Sequence, residues 1–203
     1  VVAPALPSDA KGAIISAIRD NNPVVFVEHR MLYNLEDHVV ETPYTSEIGK
    51  ARVLQQGNDI TIVGISHMVI EALRAHKHLE SNGISAEIID PIWLSPLDID
   101  TIAASVEKTG RLLVVDTGWL PCGASAEIAI QVIESLQGRK NIIVERAGYA
   151  ETPCPTTKPL ENLFYPNSST IASQAFKMIY PNSLQWTPKG EEAEEITKFK
   201  GPF

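Results

Sequence analysis

The stretch DITIVGISHMVIEALRAHKHLESNGISAEIID, Asp59 to Asp90, decides the fold. Ile60 to Ile65 is a continuous apolar run, as in a strand covered on both faces. From His67 to Ser81 the period changes to that of a helix, with Val69, Ala72, Leu73, His76 and Leu79 on one face. Asn82-Gly83 stops that helix, and Ala86 to Ile89 is a second buried strand. Two such strands joined by a helix of this length pair in parallel through a right-handed crossover.

Downstream the alternation continues. A helix is expected over Leu97–Lys108, a strand over Leu112–Val115, and a helix over Ala124–Leu136 with Ile128, Ala129, Val132, Ile133 and Leu136 inward. A strand over Ile142–Val144 follows. The proline-rich crossing Thr152-Pro153-Cys154-Pro155 then leads to a last helix with Ile171, Ala172, Ala175, Phe176 and Ile179 inward. Upstream, Ala51 to Leu54 reads as a strand, separated from Ile60 only by the turn Gln55 to Asp59. Strands so closely joined are antiparallel or lie apart in the sheet. The expectation is an α/β fold, three-layer α/β/α, with a mostly parallel sheet of five strands over residues 48–181.

Before this domain, residues 31–47 have no period and read as a linker. Residues 1–30 read as a lone βαβ unit: Val1 to Ala3, a helix capped by Ser8 or Asp9 with Ala10, Ile14, Ile15 and Ile18 inward, and a strand over Val24–Val27. Asp20-Asn21-Asn22-Pro23 ends that helix. The chain opens Val-Val-Ala-Pro without methionine, as if cut within a fold. Residues 182–203 form a polar tail containing Glu191-Glu192-Ala193-Glu194-Glu195, expected to be loosely held.

With 203 residues, 44% apolar and 21% charged, the composition is that of a globular chain, so disorder is excluded as its general state. A formal charge of −8 argues against nucleic acid or an anionic membrane as partner. No apolar run reaches the roughly 18 residues of a membrane span. Cys122 and Cys154 suit a reducing compartment and exclude a disulfide scaffold or a four-cysteine zinc site.

Ligands of open parallel sheets sit beyond the carboxyl ends of the strands. Those ends here are Gly64 to His67, Asp90-Pro91, Asp116 to Trp119 and Glu145-Arg146. One glycine stands where a dinucleotide loop has three, and there is no Walker A spacing. Ser66 reads as a helix cap, as does the Gly123-Ala124-Ser125 segment. His76 and His78 are two residues apart and face different sides of a helix, a poor metal pair with His67. No Gly-x-Ser-x-Gly elbow supports a hydrolase. Cys122 reads as a packing residue. Trp93 and Trp119 suit a contact surface and a core equally well. The helix end at Ala17, Ile18, Asp20 and Asn22 offers carbonyls without intrahelical partners, at the negative pole of the dipole. It reads as an Asn-rich cap, or as oxygen ligands for a hard cation.

The chain resembles the β subunits of 2-oxo acid dehydrogenase E1 components, with the pyruvate dehydrogenase type nearest. The residues that carry this are Val1 to Gly12, Ser16 to Val25, Leu32-Tyr33, Ile48 to Ala51, Asp59 to Val63, Glu87 to Asp90 and Leu94 to Asp98 with Thr101-Ile102. Lys108 to Leu113, Gly118-Trp119, Ser125 to Ile128 and Lys158 to Glu161 ahead of Tyr165-Pro166 continue it. It runs in order over residues 1–180.

The resemblance implies a transketolase C-terminal-like domain at 48–181, preceded by the last βαβ piece of a pyrimidine-binding domain at 1–30. It implies a parent enzyme that uses thiamine diphosphate and Mg2+ for oxidative decarboxylation with acyl transfer to lipoyl. The catalytic glutamate and histidine of the family would lie upstream of Val1, so no catalytic or cofactor-binding residue is carried onto this chain, and the chain alone is expected to be inactive. The implied partners are the E1 α subunit, a second β subunit and the dihydrolipoyl acyltransferase (E2) core. The implied location is the bacterial cytoplasm, or the mitochondrial matrix in a eukaryote. The segment matching Ala17, Ile18, Asp20 and Asn22 ligates potassium in the family, largely through main-chain oxygens. The alternatives are a non-catalytic anion- or nucleotide-binding module, and a thiamine enzyme of the acetoin or deoxyxylulose-phosphate type.

Overall fold

The computed structural model describes residues 1–188, so the glutamate-rich run at 191–195 lies outside the described residues. The elements in chain order are α1 (Pro7–Arg19), β1 (Arg52–Gln55), β2 (Ile60–Gly64), α2 (Met68–Glu80), β3 (Ala86–Asp90) and α3 (Ile99–Thr109). They are followed by β4 (Arg111–Val115), α4 (Ala124–Leu136), β5 (Ile143–Ala147), α5 (Lys158–Phe164) and α6 (Ser168–Ile179). The strands form one sheet in the order β1-β3-β2-β4-β5. β2, β3, β4 and β5 are parallel neighbours, and β1 closes one edge antiparallel to β3. β1 and β2, adjacent in sequence, are thus separated by β3.

Alternation along the strands splits the core into two layers. Ile60, Ile62, Ile88, Leu113 and Val115 face α2 and α6, where Ala72, Ala75, Leu79, Ile171, Ala172 and Ala175 receive them. Val63, Ile89, Leu112 and Val114 face α3 and α4, meeting Ile102, Val106, Ile128 and Val132. The expected three layers are therefore present. Each fully buried Ile, Leu or Val contributes about 1.5–3 kcal/mol, which makes the two inner faces the main source of stability.

Polar groups inside this core are satisfied in specific ways. The Thr61 hydroxyl lies 2.7 Å from that of Ser105 and 2.8 Å from that of Thr109 on α3. The Glu87 carboxylate accepts from the Lys108 ammonium and from the Gly57 N–H. Burial alone would raise its pKa, but Lys108, Ser105 and Gly57 together hold it below the ordinary carboxylate value. Glu71, 1% exposed, pairs with Arg74 and accepts from the N–H of Ser168, tying α2 to the start of α6.

Several expectations need correction. Neither Ser8 nor Asp9 caps α1: Leu6 is its N-cap, Pro7 begins it, and Asp9 pairs with Arg52 at 3.0 Å. Its buried face is Gly12, Ala13 and Ser16, while Ile14 and Ile18 are 40% and 76% exposed. Val24–Val27 forms no regular strand; Val2 bridges Phe26 in parallel and Trp93 in antiparallel fashion, and Val25 and Val27 are exposed. Ile133 is 40% exposed, and Ser125 completes the inner face of α4 instead. α5, whose Pro159 lies in its first turn, was not legible within the proline-rich crossing. The first part of the tail is held, because Trp186 packs at a tilt on Phe176 with ring centroids 4.9 Å apart and its carbonyl accepts from the Ser173 hydroxyl at 2.8 Å.

Candidate functional site

The carboxyl ends of the parallel strands converge on one edge of the sheet. β2 connects to β3 on one side and β4 to β5 on the other, so the order reverses between β2 and β4. Ile65 N–H donates to the Val115 carbonyl at 3.0 Å, and Asp116 N–H to the Ala147 carbonyl at 3.0 Å, carrying the ladder just past the strands. Beyond it lie Ser66, His67, Asp90 and Asp116.

Ser66 is not the cap of α2. It adopts φ 54°, His67 is the N-cap residue, and the buried Ser66 Oγ has no hydrogen-bond partner among the described residues. His67 is 7% exposed and its ring stacks on that of His29. Asp90 is fully buried; its Oδ1 accepts from the Ile92 N–H at 2.8 Å, and Oδ2 has no partner among the described residues. Burial pushes its pKa up to about 7, against the pull of the Ile92 and Ala5 N–H groups and with the charge of Asp9 adding to the rise. Asp116 is likewise raised by burial, opposed by the Thr117 N–H.

These side chains do not fit a diphosphate. One buried carboxylate, Asp90, and one half-buried, Asp116, stand where phosphate oxygens would need donors, and no glycine-rich loop supplies N–H groups. No step through thiamine diphosphate is therefore assigned to this chain. His76 lies on the buried face of α2 with Nδ1 lacking a partner among the described residues, and among those residues no group of three or more His, Cys, Asp or Glu side chains could hold a metal ion.

The helix end of α1 presents a different donor set. Asp20 N–H donates to the Ser16 carbonyl at 3.0 Å, and Asp20 Oδ1 accepts from both the N–H and the side-chain amide of Asn22 at 2.8 Å. The Asn22 N–H lowers the Asp20 pKa most, its side-chain amide next, so the carboxylate stays charged. No backbone N–H of the described residues donates to the carbonyls of Ala17 or Ile18. Main-chain and carboxylate oxygens there fit part of an alkali-cation shell.

The end of β5 carries a cavity of about 400 Å³, walled by Leu120, Arg146, Tyr149, Phe164, Tyr165 and Gln174, among others. Tyr149 and Phe164 stack at 4.8 Å, with Trp119 edge-on to both. Trp93 is buried in the small core around Val2 and Ala13, as the core reading expects, whereas Trp119 is 48% exposed. Cys122 is exposed at φ 58°, not a packing residue. Cys154 Sγ lies 3.5 Å from the Tyr165 hydroxyl. Sequence reasoning missed both this aromatic cluster and the His29–His67 pair. The cluster's rings come from three separate stretches, Trp119, Tyr149 and the adjacent Phe164 and Tyr165, with no local pattern to join them. Among the described residues no helix is long and apolar enough to cross a membrane.

Comparison with known proteins places this geometry. The family model of the transketolase C-terminal domain matches residues 49–171. The β subunit of acetoin:2,6-dichlorophenolindophenol oxidoreductase from Cupriavidus necator is 44% identical over 177 residues, which is 87% of this chain and 52% of that protein. The pyruvate dehydrogenase E1 component subunit beta of Bacillus subtilis is 43% identical over 180 residues, 88% of this chain and 55% of its own. This chain thus spans about half the length of the curated relatives it matches. A solved split-gene transketolase, described as an inactive beta4 tetramer, superposes with TM-score 0.68 at 23% identity, covering 88% of this chain and 56% of that one. That likeness shows the shared fold.

Proposed function

The chain belongs to the transketolase C-terminal domain family, and from that membership we propose that it forms this domain in the β subunit of an E1-type 2-oxo acid dehydrogenase. The observation that carries the reading is identity of 42–44% to β subunits of pyruvate and acetoin enzymes, sustained over 86–88% of the chain. Pyruvate is the first candidate substrate. Acetoin is the second, supported by the Cupriavidus relative at 44%.

In this reading the chemistry belongs to thiamine diphosphate and Mg2+ held elsewhere in the assembly, with acyl transfer to a lipoyl group, and the present residues serve assembly. Residues 1–30 belong to a neighbouring pyrimidine-binding domain, and residues 48–181 are the C-terminal-like domain. The exposed Ile14, Ile18, Val25 and Val27, and the exposed Leu160, suit burial against an E1 α subunit, a second β subunit and an E2 core. A reducing, cytoplasmic setting follows if the source is bacterial.

The test is co-expression with an E1 α subunit and the remainder of a β subunit, with dye reduction driven by pyruvate or acetoin. Thiamine-dependent turnover is expected only in the reconstituted assembly. Turnover by this chain alone, or failure to associate with the other parts, overturns the proposal.

We also infer that the end of α1 holds potassium through Ala17, Ile18, Asp20 and Asn22. A melting temperature higher in KCl than in choline chloride, with the difference abolished in Asp20→Ala, is expected. Equal melting temperatures in the two salts overturn it.

A further inference from the structure

The cavity at the end of β5 has a chemical character that assembly does not require. At about 400 Å³ it lies within the range of small-molecule sites. Its walls are mainly apolar: Leu120, Ala147, Phe164, Tyr165 and Pro166 line it. Arg146 is the cation among its lining residues. One donor of this half-buried guanidinium, Nη1, reaches the Leu120 carbonyl at 2.6 Å. No carboxylate of the described residues forms an ion pair with it. Nε and Nη2 have no acceptor among the described residues.

A guanidinium partly withdrawn from water and lacking a counter-charge favours an anion, and its planar fork matches a carboxylate. The other titratable groups of the walls do not supply that charge. Burial raises the Tyr149 phenol, helped by the charge of Asp116. The Tyr165 phenol is pushed up to about 12, first by its hydrogen bond with Cys154 and then by burial, so both stay neutral. Glu151 is exposed at the rim, where solvent screens it.

We propose that this cavity binds a small carboxylate with an apolar body, its carboxylate on Arg146 and its body among Leu120, Phe164 and Tyr165. A bare inorganic anion would leave the apolar wall unused. A neutral aromatic molecule would leave the guanidinium without a counter-charge. The proposal does not depend on the E1 assignment, since it rests on the cavity alone.

Three probes decide it: benzoate, benzamide and inorganic phosphate, titrated into the intact chain and read by calorimetry and by the indole N–H resonance of Trp119. Trp119 packs edge-on against two rings of the wall, whereas Trp93 is remote in the core. Benzoate is expected to bind at least tenfold more tightly than either benzamide or phosphate, and to shift Trp119 but not Trp93. Arg146→Gln is expected to weaken benzoate at least tenfold and leave benzamide unchanged. Equal affinity for benzoate and benzamide overturns the proposal, as does equal affinity for phosphate or the absence of benzoate binding. The comparison of probes on the unaltered chain is decisive even if Arg146→Gln fails to fold.

Discussion

The imidazole of His29 lies on that of His67, with ring centroids 4.9 Å apart and planes 13° from parallel. His29 Nδ1 also accepts from the Met31 N–H at 3.3 Å, which opens the short 3-10 turn at Arg30–Leu32. The stack therefore pins the start of the segment 31–47 to the entrance of α2. Burial lowers the His29 pKa, so the folded chain favours the neutral ring. The nearest charged neighbours on its own segment are Glu28, which accepts from the Tyr33 hydroxyl, and Arg30.

Because the folded pKa is depressed, this contribution is present above the unfolded value of 6.5 and is lost as pH falls below it. Protonation at Nδ1 would also remove the acceptor used by Met31. Hydrogen exchange at the Met31 amide is expected to quicken several-fold between pH 7.5 and 5.5, beyond the intrinsic pH effect. His29→Phe, which keeps a ring for stacking, should lose that excess. An unchanged excess in His29→Phe would assign the pH response to another group.

Asp90 titrates in the opposite sense. Its folded pKa of about 7 exceeds the unfolded 3.8, so this group makes the fold less stable as pH rises from about 4 to about 7. Asp90→Asn keeps an oxygen for the Ile92 N–H while removing the charge. The variant is expected to gain on the order of 1–3 kcal/mol at pH 8 relative to its change at pH 4. Urea midpoints at the two pH values measure this, and equal changes at both would contradict the shift.

Removing Lys108 leaves the Glu87 carboxylate buried with only neutral partners. Lys108→Ala is expected to destabilise the fold by about 1–3 kcal/mol, below the value for a fully buried pair because the lysine is 39% exposed. Glu87→Gln with Lys108→Met should recover most of the loss, since no unpaired charge then remains. A double variant as unstable as the single one would show that the carbon stem, not the charge, matters.

Two glycines separate close approach from backbone conformation. A Cβ on Gly57 would stand 2.2 Å from the Ala86 carbonyl carbon and 2.3 Å from the Glu87 nitrogen, and neither backbone atom can yield. Gly83 has φ +72° with nothing within 4 Å of such a Cβ. Gly57→Ala is expected to lose more than about 3 kcal/mol, and Gly83→Ala about 1 kcal/mol, the left-handed penalty alone. Thermal denaturation of the two variants tests the order.

The strand and helix sequence of residues 51–147 was legible from periodicity because each element there buries a face fixed by local spacing. Ala124–Leu136 is helical to the residue as expected. Periodicity failed where burial depends on what lies opposite. In α1 the small residues Gly12, Ala13 and Ser16 face inward because Tyr44 and Ser46 approach closely, within 2.9 Å and 2.2 Å of a Cβ placed on Gly12. The larger Ile14 and Ile18 are thereby left outside. α5 escaped notice because seven residues after a proline-rich run are too few to display a period.

Apolar spacing and local motifs in the sequence are enough for the α/β class and the family, because both survive without knowledge of contacts, whereas the place of β1, antiparallel to β3 and apart from β2, was left open between two arrangements. Tertiary structure alone decided that Asp90 is buried, that His29 meets His67, and that Arg146 stands without a carboxylate beside an aromatic wall. Those properties depend on residues tens of positions apart in the chain being brought within a few ångströms. Burial and charge compensation are set by that proximity, and no local spacing encodes it.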